Sequence, residues 1–194
     1  MEAFLVSAGL VALAEIGDKT QLLAFLLAAK FRKPVPIIGG IVLATLVNHG
    51  LAGALGTWVT TLLGPQLLRW VVGLAFIGMA LWTLVPDRLE DDESAPAHAL
   101  RWGVLGTTAI AFFLAEMGDK TQLATVALAA KFHTFAPVVA GTTLGMLIAD
   151  VPAVFIGERL AHRLPVQWVR AVAAALFALL GIAALTGLGE RLGI

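Results

Sequence analysis

The chain has 194 residues, 59% hydrophobic and 13% charged, with zero formal net charge and a mean hydropathy of +0.92. That leaves too little polar surface to coat a soluble domain, so an all-α membrane protein is expected. Zero charge without a basic tract argues against a nucleic-acid partner, and zero cysteines exclude disulfides, thiolate metal sites and cysteine nucleophiles.

Six apolar runs are each long enough to cross a hydrocarbon core of ~30 Å. They cover about Ala3–Ala29, Val35–Leu63, Leu67–Val85, Trp102–Ala130, Phe135–Leu160 and Val166–Leu188. Alternating strand patterns are absent, which argues against an outer-membrane barrel. The first run lacks a basic leader and an Ala-x-Ala site, so it is expected to be a retained helix rather than a signal peptide.

That first run carries Glu15-Ile16-Gly17-Asp18-Lys19-Thr20-Gln21-Leu22 in its middle. Charges at membrane depth are expensive and default to a functional reading. The run is longer than a straight crossing needs, so it is expected to be tilted or broken near Gly17. The second run holds Asn48 and His49, with Gly50, Gly53 and Gly56 spaced for close helix contact. After the third run, residues 87–100 form an acidic linker, read as a solvated tether.

The fourth run repeats the octet as Glu116-Met117-Gly118-Asp119-Lys120-Thr121-Gln122-Leu123, an offset of 101 residues. At the same offset Ala28-Ala29-Lys30-Phe31 returns as Ala129-Ala130-Lys131-Phe132, Pro36 maps to Pro137, and Gly40 to Gly141. The fifth run has Gly141 and Gly145 in a GxxxG, and Asp150 where the first half has His49. The chain therefore divides into residues 1–86, the linker, and residues 101–194.

Three spans per half is an odd number, so the second half is expected upside down relative to the first. Basic residues agree. Lys30, Arg32, Lys33, Arg88, Arg101, Arg159, Arg163 and Arg170 fall on one side, against Arg69, Lys131 and Arg191 on the other. The positive-inside rule then puts the linker in the cytoplasm and both termini outside. Trp58, Trp70, Trp82, Trp102 and Trp168 all fall near predicted span ends, as an interfacial belt would.

On an unbroken helix Glu15, Asp18 and Gln21 share a face, with Lys19 one turn beyond Glu15 and Thr20 pointing away unless the helix unwinds at Gly17. The second copy sets out Glu116, Asp119, Gln122, Lys120 and Thr121 in the same way. Two antiparallel copies near the midplane would gather four carboxylates and two amides. Such oxygens suit a hard or borderline divalent cation. Four acids and two lysines sum to −2, the charge one divalent ion cancels. Like charge and desolvation both favour the protonated acid, so an empty site is expected to take up protons. The plainer reading, two buried Glu–Lys pairs, leaves the extra Asp and Gln of each octet unexplained. His49 and Asp150 are candidate proton carriers or, equally, polar helix contacts.

Glu-x-Gly-Asp-Lys-Thr twice, in six spans around a polar linker, resembles the Golgi-type manganese and calcium antiporter family, a branch of the calcium/cation antiporters. The resemblance implies manganese or calcium transport coupled to protons, with Mn2+ or Ca2+ as substrate and no prosthetic group. It implies ion-site roles for Glu15, Asp18, Glu116 and Asp119, with the remaining motif residues beside them. A compact bacterial form in the inner membrane, monomeric or homodimeric, is expected. An exporter of an amino acid or other small cation is the alternative. No His-Glu-x-x-His or Gly-x-Ser-x-Gly signature supports an enzyme.

Overall fold

The computed structural model describes residues 1–85, 102–156 and 166–188. The acidic linker, the division between the halves and the end of the fifth predicted span lie outside the described residues. Among those described, every regular element is a helix: α1 (Glu2–Glu15), α2 (Lys19–Phe31), α3 (Pro34–Leu62), α4 (Pro65–Thr83), α5 (Gly103–Glu116), α6 (Lys120–Phe132), α7 (Ala136–Ile156) and α8 (Val166–Thr186).

Four of these, α3, α4, α7 and α8, are individually long and apolar enough to cross a membrane. The first and fourth predicted runs are instead each broken in two. Each piece, at 13 or 14 residues, spans about 20 Å. Glycine makes the break: Gly17 has φ 80° and Gly118 has φ 78°. A residue with a Cβ would lose about 1–2 kcal/mol there. Ile16 and Met117 are extended before the glycine, and Asp18 and Asp119 are extended after it as the N-caps of α2 and α6. Both of those helices end on a left-handed residue, Arg32 and His133, again 101 apart in sequence.

Small residues set the crossings. A Cβ on Gly141 of α7 would lie 2.4 Å from the Phe4 carbonyl oxygen of α1, and one on Gly145 would lie 2.6 Å from that of Ala8. Gly40 of α3 sits equally tight on Leu105 of α5, while Gly53 and Gly56 press against Val139 and the Val126 carbonyl. Gly50, expected in the same row, faces open space. It shares the spacing but not the contact face.

Two apolar cores result. One joins α4 and α8 to α1 and α6 through Leu10, Val72, Phe76, Leu128 and Phe177. The other joins α2, α3, α5 and α7 through Leu23, Ile41, Phe112 and Val154. The Phe76 and Phe177 rings stack across the α4–α8 contact, centroids 6.3 Å apart. All five tryptophans are exposed near helix ends, as the interfacial reading requires.

Candidate metal centre

Breaking a helix inside a membrane leaves N–H and C=O groups without intrahelical partners. The octets supply their own. The Gly17 N–H donates to Gln21 Oε1 at 3.1 Å, and the Gly118 N–H to Gln122 Oε1 at 2.8 Å. Thr20 donates its hydroxyl to Glu15 Oε2 at 2.7 Å, and Thr121 to Glu116 Oε2 at 2.9 Å. The break therefore turns Thr20 and Thr121 back onto the glutamates. The continuous-helix reading, which pointed them away, fails because the chain changes direction at glycine. The amide oxygens expected to face the metal are engaged with backbone at the breaks.

Each glutamate keeps one oxygen, Glu15 Oε1 and Glu116 Oε1, buried without a hydrogen-bond partner. Glu15, Asp18 and Asp119 offer carboxylate oxygens within 4.8 Å of one another, all three side chains buried. Acids from both octets thus meet. Glu116 lies outside that triad but within electrostatic reach of Glu15, Asp18 and Asp119. The lysine pairing crosses between octets: Lys120 Nζ contacts Asp18 Oδ1 at 2.6 Å, with both side chains buried. Sequence spacing had suggested Glu116 as the plainer partner of Lys120. Lys19 is half-buried at the start of α2, and Gln122 is half-buried on α6.

Surrounding helices hold this cluster. Gln21 Nε2 donates to the Ala149 carbonyl of α7 at 3.0 Å, and Asn48 Nδ2 to the Phe113 carbonyl of α5 at 3.1 Å. Asp150 is fully buried and neither carboxylate oxygen is hydrogen-bonded. His49 is fully buried with neither ring nitrogen hydrogen-bonded, and it stands apart from the carboxylate triad. Sequence reasoning missed Arg170, whose Nη2 donates to the Gly17 carbonyl at 2.9 Å. Its signal was present, since Arg69 stands 101 residues earlier.

Apolar helices with buried acids at two breaks, inside a shell of exposed leucine and tryptophan, define a multi-pass membrane protein. The family profile described as "Divalent cation/proton antiporter GDT1" matches residues 3–91 and 104–190, and the chain belongs to that family. It is 49% identical to a Vibrio cholerae protein named "Putative manganese exporter", over 94% of this chain and 90% of that one. It is 30% identical to a GDT1-like protein of Synechocystis, over 94% and 96% of the two chains. With a GDT1-like protein of Arabidopsis thaliana it shares 26% identity over 94% of each. No solved structure matches the chain.

Proposed function

We propose that this chain exports a divalent cation, manganese first and calcium second, in exchange for protons across the bacterial inner membrane. The observation that carries the reading is the buried meeting of Glu15, Asp18 and Asp119 between the two helix breaks. Family membership supports the cation/proton exchange, and the name of the Vibrio relative favours manganese. Glu15, Asp18, Glu116 and Asp119 are the ligands in this reading. Gln21 and Gln122 shape the breaks and complete the shell beside them. Protons and metal compete for the same oxygens, which couples their movement in opposite directions. Asp150 and His49 carry protons to and from the cluster.

Two inverted repeats, residues 1–86 and 101–194, provide the frame, with six spans and both termini outside. Support comes from the matching breaks, the matching left-handed caps and the paired α1–α7 and α3–α5 crossings. The test is manganese flux in proteoliposomes under an imposed proton gradient. Glu15→Gln and Asp119→Asn should each abolish flux while the protein stays folded. Full flux in both variants refutes the site. Flux of an amino acid without metal dependence would favour the exporter of small organic cations.

A further inference from the structure

We propose that a second site, a cavity of about 300 Å³ at the end of the bundle where α3, α6 and α8 finish and α4 begins, binds the phosphate of an anionic ligand. Among the described residues three basic side chains line it, Arg69, Lys131 and His133, and no acid does. None of the candidate metal ligands borders it. Three basic nitrogen groups gathered together repel a divalent cation, so this described lining does not suit the metal's path. It is built for the opposite charge.

Arg69 is the centre of the argument. Among the described residues it makes no hydrogen bond or ion pair, and its Nε is buried with no acceptor. A buried N–H left without an acceptor is costly. The residue 101 positions later, Arg170, meets that need by donating to the Gly17 carbonyl. Among the described residues Arg69 meets no such carbonyl, so its planar fork can face phosphate oxygens, the geometry it matches best. The remaining walls are apolar, Leu63, Val72 and Ala183 among them. Trp70, beside Arg69, is exposed as interfacial tryptophans are. A charged mouth over apolar walls at a helix-end level is where a phospholipid headgroup lies. Free phosphate presents the same oxygens, and the experiment separates the two sources.

The test is native mass spectrometry of the full chain in detergent, titrated separately with phosphatidylglycerol and with inorganic phosphate. Wild type is compared with Arg69→Gln, Lys131→Gln and, as control, Lys33→Gln at the exposed opposite end of α3. Phosphatidylglycerol affinity should fall at least about tenfold in the first two variants and stay unchanged in the control. The same variant pattern with inorganic phosphate alone would keep the site and make free phosphate its ligand. Should Arg69→Gln fail to fold, Lys131→Gln decides by itself. Binding that is equal in all variants, or absent with both probes, overturns the proposal.

Discussion

At the first helix break Arg170 of α8 holds the Gly17 carbonyl, and Ile16 and Gly17 are half-buried. At the second, Met117 and Gly118 are exposed, and Arg69, the counterpart arginine, lies in the distant basic cavity. The backbones of the two breaks are nearly the same, as are their Thr–Glu and Gln–Gly hydrogen bonds. Two near-identical octets cannot encode different surroundings. The difference comes from the α4–α8 pair. α4 packs on α6 and α8 on α1, whereas the corresponding faces, α8 with α2 and α4 with α5, barely touch among the described residues. The local chemistry of a break is thus written in the octet, and its cover is set by where α4 and α8 lean.

The largest test of this contrast targets the Lys120–Asp18 ion pair, which ties one octet to the other. Asp18→Asn removes the carboxylate charge 2.6 Å from the buried Lys120 ammonium and should cost about 3–5 kcal/mol. Combining it with Lys120→Met should recover most of that loss, measured by unfolding in detergent. A loss near zero for Asp18→Asn would remove the cross-octet pair from the account.

A smaller effect separates local from covering forces. Gly17→Ala and Gly118→Ala should each cost about 1–2 kcal/mol, because both force a side chain into left-handed backbone. Equal losses would make the break a property of the octet alone. A larger loss at Gly17 would show that the covering α8 adds to it.

The smallest effect is confined to one break. Arg170→Gln should raise amide hydrogen exchange over residues 17–21 and leave residues 118–122 unchanged, with global stability lowered by about 1 kcal/mol. Arg69→Gln should change exchange at neither break. Equal deprotection of both by Arg170→Gln would mean that the contrast between them is not local.

Much of this was legible in the residues. The 101-residue offset lay open in the residues, and glycine within a run too long for one crossing marked both breaks. The acids of the octet declared themselves by their cost in an apolar run. Three things were not legible, for one reason. Helical spacing of three and four holds only while the helix continues, and it stops at Gly17 and Gly118. Beyond that turn, Thr20 faces Glu15, Gln21 serves the Gly17 N–H, and Asp18 finds Lys120 from the other octet. Gly50 failed differently: a row of glycines gives the spacing of a contact but not which member meets it.

The stacked Phe76 and Phe177 have one more consequence. They are 101 positions apart and touch each other, so the contact is its own mirror: exchange the halves and the same two rings still meet. Replacing one ring with a smaller side chain would therefore loosen a contact to which both halves contribute equally.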